Sequence, residues 1–353
     1  MAARPSALRR AARLSASAVR SSLPWSPHPP VCQQAHIRLL SSTTRDGHPA
    51  AAPGPASSAT PDAAADSAPR TTHFGFQDGL TEAEKTERVA DVFHRVAENY
   101  DRMNDLMSFG WHRVWKDHFV ASLNPGFAPP GAPPQPLRVL DVAGGTGDIA
   151  FRILRHAHGV NGNPHVRVTV ADINASMLAV GRERSRGRGV LTEAQRGALD
   201  FLEADATRFD PAAVPDGSVD LYTVAFGIRN FASVPAALAE ARRVLRPGGV
   251  FACLEFGKVA PPPGAVAAAA APWHLLDALY RRWSFAAIPL LGQLVAADRD
   301  SYQYLVESIQ RFPAQPDFCR LIRDAGFLVS RERPWEDLTA GIAAIHKGVK
   351  PLG

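Results

Sequence analysis

Leu140-Asp-Val-Ala-Gly-Gly-Thr-Gly-Asp148 follows a short β-rich run, Arg138 to Val142, and opens a helical one, Ile149 to His156. Glycines at 144, 145 and 147 let the backbone turn tightly and approach a ligand, and the free amides at the start of the next helix favour negative groups. Alone, the turn fits a dinucleotide enzyme or a purely structural bend as well as any other reading.

Outward from the loop the pattern repeats. Val166 to Ala171, Leu199 to Glu203, Val219 to Ala225 and Gly249 to Glu255 read as strands, and Ala175 to Arg186 and Val234 to Leu245 as helices between them. Such alternation predicts parallel strands joined by crossover helices, an open α/β sheet. Phe327 to Glu332 and Ala340 to His346 lie close enough in sequence to pair antiparallel at its edge. The second strand ends at Asp172, 25 residues past Gly147, where a carboxylate can hold ribose hydroxyls. The third ends in Glu203-Ala-Asp205-Ala206, able to set a carboxylate and an amide against an adenine edge. Asp172 or Asp205 taken singly is better explained as a loop cap. Three strand ends converging on one rim favour a nucleoside site.

The loop lacks the spacing of a nicotinamide site, Gly-x-Gly-x-x-Gly, because Ala150 stands in the third-glycine position. With Asp141 at the strand end, it resembles a class I S-adenosylmethionine-dependent methyltransferase. That likeness implies a Rossmann-like, mostly parallel sheet of seven strands with an N-terminal helical cap.

The flanks carry different information. Residues 1–45 hold seven arginines and no Asp, Glu or Lys, which predicts a mitochondrial transit peptide. Without those seven, the 39 basic residues fall to 32 against 34 acidic ones, so no basic surplus argues for nucleic acid. Residues 46–73, rich in Ala, Pro, Ser and Gly, predict a disordered linker, leaving 74–353 for one domain. Cys32, Cys253 and Cys319 are isolated from one another and suggest neither a disulfide framework nor a metal site.

Within the domain, Thr81-Glu-Ala-Glu84 is a capping box, and Val89, Val92, Phe93, Val96 and Tyr100 recur at helical spacing, predicting a cap over about 81–118. The proline-rich 125–136 segment ends it. Pro272 bounds an alanine run and Arg281 and Arg282 interrupt the next apolar stretch, so neither is long enough to span a membrane. The Arg/Gly-rich 182–197 and Pro/Ala-rich 260–272 segments read as surface extensions.

Four stretches resemble the ubiquinone/menaquinone biosynthesis C-methyltransferase family: Val92 to Ser108 (VFHRVAENYDRMNDLMS), Asp141 to Asp148, Ala225-Phe-Gly-Ile-Arg-Asn230 and Tyr304 to Pro313 (YLVESIQRFP). The likeness covers nearly all of 74–353, through the final Leu338 to His346. It implies that Thr146, Asp172, Asp205 and Ala206, with Gly144 and Gly145 of the loop, contact S-adenosylmethionine. It implies C-methylation of the ring of a polyprenylated benzoquinol, peripheral attachment to the matrix side of the inner membrane, membership of a multi-subunit coenzyme Q synthesis complex, and a homodimer as one possible assembly. Alternatives are another prenylated quinol or lipid acceptor, a non-catalytic subunit of such a complex, and, least supported, a nicotinamide oxidoreductase. Where bacterial relatives often carry serine, this chain has Ala225.

Ring methylation needs a phenolate to be stabilised, in-line approach to the methyl and exclusion of water, and calls for no metal. Arg229, after the fourth strand, is expected to face the methyl group, and the resemblance makes it the leading catalytic residue. Being always protonated, it would stabilise the phenolate instead of taking the proton, or else merely brace its loop. Tyr100, Asp101, Asn104 and His112 are secondary candidates for orienting the quinol or accepting its proton, each individually more plausible as a structural polar group. Trp273, Leu276, Leu279, Tyr280, Trp283, Phe285, Ile288, Leu290 and Leu291, within a substrate-channel insertion over about 258–312, are equally readable as a prenyl-tail channel or as core.

Overall fold

The computed structural model describes residues 72–96, 105, 108, 110–261, 267–283 and 299–352. A two-stranded hairpin comes first, β1 (Thr72–Phe74) with β2 (Gln77–Leu80). Helix α1 (Glu82–Val96) starts at the expected box: Thr81 N–H donates to Glu84 Oε2 at 2.8 Å and Glu84 N–H donates to Thr81 Oγ1 at 3.2 Å. Its Val89 and Val92 are buried. Helix α2 (Trp111–Leu123) follows, with Phe119 fully buried and Trp115 Nε1–H donating to Thr339 Oγ1.

From there the chain alternates. β3 (Leu137–Val142) is followed by α3 (Asp148–Arg155), β4 (Val166–Asp172) by α4 (Ala175–Arg186) and the short α5 (Glu193–Arg196), then come β5 (Leu199–Glu203), β6 (Val219–Ala225), α6 (Val234–Val244) and β7 (Leu245–Phe256). Helices α7 (Ala267–Arg282), α8 (Arg299–Arg311) and α9 (Gln315–Asp324) precede β8 (Trp335–Leu338) and β9 (Ala343–Val349). The seven strands β3 to β9 form one sheet in the order β5-β4-β3-β6-β7-β9-β8. The first five run parallel, while β9 is antiparallel to β7 and β8 antiparallel to β9. This is the expected class I methyltransferase sheet.

Alternation along each strand feeds two cores. Val139, Val168 and Val170 pack on one face of the sheet, and Leu140, Val142 and Ala171 on the other. Both faces are covered, which is why these strands read as nearly continuous apolar runs. The chain winds outward from β3 through β4 to β5, then returns to lay β6 on the other side of β3. That reversal opens a crevice at the carboxyl ends of β3 and β6, where ligands of open α/β sheets bind.

Several expectations need correction. Phe327 to Glu332 is not a strand: Leu328 makes a single bridge to Val349 and is 62% exposed. Phe327 is buried, but Arg331, Glu332 and Arg333 cannot follow it inward. Trp335–Leu338 takes the outer edge of β9 in its place. Ala340 does not belong to the last strand, because Thr339 and Ala340 adopt positive φ in a 3-10 turn before β9. The 182–197 segment is more than a surface extension: Leu191 enters the core, and Gln195 completes a capping box with Thr192. Pro272 ends the alanine run but lies inside α7, which continues past it. Among the described residues no helix is long and apolar enough to cross a membrane.

Candidate functional site

A cavity of about 1060 Å³, its open mouth included, lies over the carboxyl ends of β3, β4, β5 and β6. Its floor is the glycine loop. Gly145 and Gly147 adopt φ of +49° and +81°, and a Cβ on Gly144 would sit 2.8 Å from the Asp141 carbonyl oxygen. Only glycine leaves the backbone this close to the strand end. Asp141 is buried beneath, accepting from Thr223 Oγ1–H at 2.8 Å and Ala150 N–H at 3.1 Å. Burial outweighs those bonds and holds its carboxyl up to about 7.

Asp172 forms the next wall. Its Oδ2 accepts from Gly145 N–H and its Oδ1 from Asn174 N–H, both at 2.9 Å, so it positions the loop as well as facing the cavity. Burial raises its carboxyl to about 6 against the pull of those amides. Asp205 Oδ1 accepts from both Thr207 N–H and Thr207 Oγ1–H at 2.8 Å, a turn-capping role that leaves Oδ2 outside this turn. Ala206 beside it is buried on the same wall, and Asp172 and Asp205 sit on neighbouring strand ends. Thr146 also lines the cavity, its hydroxyl accepting from Arg184 Nη1–H at 2.8 Å.

Sequence reasoning overlooked Lys116. It projects from α2 onto the cavity wall, is 4% exposed, and donates to Asp148 Oδ2 at 2.9 Å. Arg152 pairs with the same carboxylate. Burial opposes charge on Asp148, but the two cations win and lower it to about 2. Two cations thus share one carboxylate beside the cavity. The signal was present as Lys116, but only the tertiary fold shows α2 crossing α3.

The other expected residues divide. Arg229 lies in a 3-10 turn, Ile228–Asn230, and does not line the cavity. Its side chain is 1% exposed and turned inward, Nη1–H donating to Glu255 Oε1 at 2.8 Å and to the Phe226 carbonyl at 2.6 Å, Nε–H to Ser308 Oγ at 3.3 Å. Its guanidinium lies 5.4 Å from the Phe256 ring centroid. The expectation that it faces the methyl group is therefore corrected: a buried carboxylate on β7 draws it away. Phe226, whose carbonyl it holds, is a non-glycine residue at φ +57° on the cavity wall.

His112 is buried at the start of α2, its Nδ1 3.0 Å from Ser108 Oγ, and is not part of the cavity lining. Burial, aided by Lys116, lowers it to about 4, so it is neutral at physiological pH. Tyr100, Asp101 and Asn104 lie outside the described residues, as do Phe285, Ile288, Leu290 and Leu291. In α7, Leu276 and Leu279 are 37% and 58% exposed, which excludes the core reading for them, whereas Trp283 packs against the core. Among the described residues no group of His, Cys, Asp or Glu is arranged to hold a metal.

The cavity fits a nucleoside carrying a charged amino-acid tail. Carboxylates on two adjacent strand ends suit its hydroxyls and base edge, the glycine loop admits its close approach, and Lys116 suits a carboxylate.

Comparison with known proteins follows the same line. The chain is 50% identical over 285 residues to 2-methoxy-6-polyprenyl-1,4-benzoquinol methylase, mitochondrial, of Schizosaccharomyces pombe, covering 81% of this chain and 86% of that one. It is 49% identical over 278 residues to the ubiquinone/menaquinone biosynthesis C-methyltransferase UbiE of Brucella suis, covering 78% and 90%. The protein of the same name from Bradyrhizobium diazoefficiens is 48% identical, over 79% and 96%. The ubiE/COQ5 methyltransferase family profile matches residues 81–350, from the capping box of α1 to the end of the sheet, and the chain belongs to that family.

Proposed function

We propose that this chain methylates a ring carbon of 2-methoxy-6-polyprenyl-1,4-benzoquinol in coenzyme Q biosynthesis, using S-adenosylmethionine, in mitochondria. The observation that carries the reading is one cavity in which the glycine loop, Asp172 and Asp205 are continuous with the wall that follows β6. Asp172 would hold the ribose hydroxyls, Asp205 and Ala206 the adenine edge, Thr146, Gly144 and Gly145 the region of the loop, and Lys116 the carboxylate of the amino-acid tail.

When bound, S-adenosylmethionine would supply an electrophilic methyl to a ring carbon of the quinol, the electron pair of the broken bond leaving with its sulfur. The acceptor becomes nucleophilic as a quinol hydroxyl releases its proton; the ring proton then leaves and the oxygen recovers one, so overall one methyl replaces one ring proton. The protein must exclude water and hold the acceptor in line, for which α1 and the wall after β6 flank the cavity through Val89 and Phe226. Arg229 would act by holding Phe226 in its left-handed conformation, a positioning role.

The exposed leucines of α7, Leu275, Leu276 and Leu279, support contact with the prenyl tail or the surface of the inner membrane from the matrix side. Residues 1–45 would be the transit peptide. Assembly into a coenzyme Q synthesis complex, and a homodimer within it, belong to the same reading. The test is methylation of a short-tail benzoquinol by purified protein, with S-adenosylmethionine binding measured alongside. Cofactor binding without methyl transfer to any quinol would reject the acceptor and keep the site.

A further inference from the structure

We propose that Asn230 is the hydrogen-bond donor that meets the ring oxygen of the methyl acceptor, held in place by Tyr304; this rests on the quinol methylation proposed above. The sheet order divides the cavity. Asp172 ends β4 and Asp205 lies just past β5, both on one side of β3, and there the nucleoside of the proposed cofactor would lie. The reacting end of the cofactor then points to the other side, toward β6. Whatever accepts the methyl meets the residues that follow β6.

Among those, Phe226 and Phe231 bring apolar rings and Ala225, Gly227 and Ala232 bring backbone or a methyl. Asn230 is the one residue of this stretch with a polar side chain among those lining the cavity, since Arg229 is turned to Glu255. Asn230 is 7% exposed, and its Oδ1 accepts from the Tyr304 hydroxyl at 3.1 Å. With the oxygen so engaged, the amide is oriented and its Nδ2–H groups, which bond to no other described residue, are left as donors. Tyr304 is itself fixed, being buried on α8 and stacked on Phe74 of β1 with ring centroids 4.2 Å apart and planes 13° apart. The hairpin is clasped to the same wall, Thr72 Oγ1–H donating to the Ala232 carbonyl at 3.1 Å.

The chemistry asks for such a donor. As the quinol hydroxyl loses its proton, negative charge grows on the ring oxygen. A preorganised neutral donor stabilises that charge more than it stabilises the neutral quinol, and so lowers the barrier instead of merely binding substrate. Arg229 could not serve without abandoning Glu255, whose Oε2 already has no hydrogen-bond partner.

The experiment is single-turnover methylation of a short-tail benzoquinol by the full chain, wild type against Asn230→Ala, Asn230→Asp and Tyr304→Phe, with calorimetric binding of S-adenosylmethionine and thermal unfolding for each. Asn230→Ala should lose about 10²–10³ in rate, the usual effect of removing one preorganised donor, with cofactor affinity unchanged. Tyr304→Phe should lose less, since the donor remains but is no longer oriented. Asn230→Asp should recover rate as pH falls, because only the protonated carboxyl donates. Its titratable neighbours, Tyr304 and the Arg229–Glu255 pair, are the same in wild type, so a new acid limb belongs to the substituted side chain. A wild-type rate in Asn230→Ala, or a pH profile in Asn230→Asp parallel to wild type, overturns the assignment. Should Asn230→Ala fold poorly, the pH profile of Asn230→Asp decides. A wild-type chain that binds the cofactor and methylates no quinol would instead overturn the acceptor reading on which the proposal rests.

Discussion

Replacing Arg229 with alanine tests whether its charge serves the fold or the reaction. The Arg229 and Glu255 side chains are each 1% exposed and meet at 2.8 Å. Removing the arginine leaves a carboxylate buried with one oxygen already unpartnered, and frees the strained Phe226 carbonyl. Breaking a buried pair by deleting one partner costs roughly 3–5 kcal/mol. The cost should depend on pH. Burial raises the Glu255 carboxyl and Arg229 pulls it back, so without Arg229 it rises further. A carboxyl whose folded pKa exceeds its unfolded one contributes stability that is present at acid pH and lost as pH rises. Arg229→Ala should therefore be less destabilised near pH 5 than near pH 8. Urea unfolding at both pH values, for Arg229→Ala, Glu255→Leu and Arg229→Met with Glu255→Leu together, provides the measurement. Each single variant should lose several kcal/mol by the same principle, and the double apolar variant should regain much of it. Wild-type stability in Arg229→Ala with turnover abolished would refute the positioning role and return the arginine to the chemistry.

Other outcomes follow from the same site. Asp172→Ala should raise the dissociation constant for S-adenosylmethionine at least about tenfold, since a hydrogen bond to a charged group contributes roughly 1.5–3 kcal/mol and each 1.4 kcal/mol is tenfold. Calorimetry finding no change would remove Asp172 from the site. In wild type that affinity should fall as pH drops through about 6, where the carboxyl takes a proton. Asp141, held near 7 in the fold against an ordinary 3.8, makes the protein lose stability as pH rises between those values. Asp141→Asn should flatten that slope in unfolding titrations, and an unaltered slope would show another group responsible. Residues 1–45 fused to a fluorescent reporter should carry it into mitochondria, and retention in the cytosol would end the targeting proposal.

The sequence by itself determined the parallel sheet, the glycine loop and the succession of strands β3 to β7 along the chain. Each of these rests on local chemistry: apolar periodicity, glycine where the backbone must turn, and the Thr81–Glu84 box that starts α1. Strand ends carrying Asp172 and Asp205 were legible for the same reason, because parallel winding brings every carboxyl end to one rim. What only the tertiary structure decided is where side chains turn when two partners compete. Arg229 and Asn230 are adjacent in sequence, yet one is drawn under the wall by Glu255 on β7 and the other is held on it by Tyr304 of α8. Lys116 reaches the cavity only because α2 crosses α3 at Asp148. The edge of the sheet escaped for a like reason. Phe327 to Glu332 has a strand's composition at its start, but an edge strand forms where a partner's hydrogen-bonding groups are free, and Trp335–Leu338 occupies those of β9. Long-range pairing of this kind is set by which groups the fold brings within bonding distance, and no local periodicity carries that information.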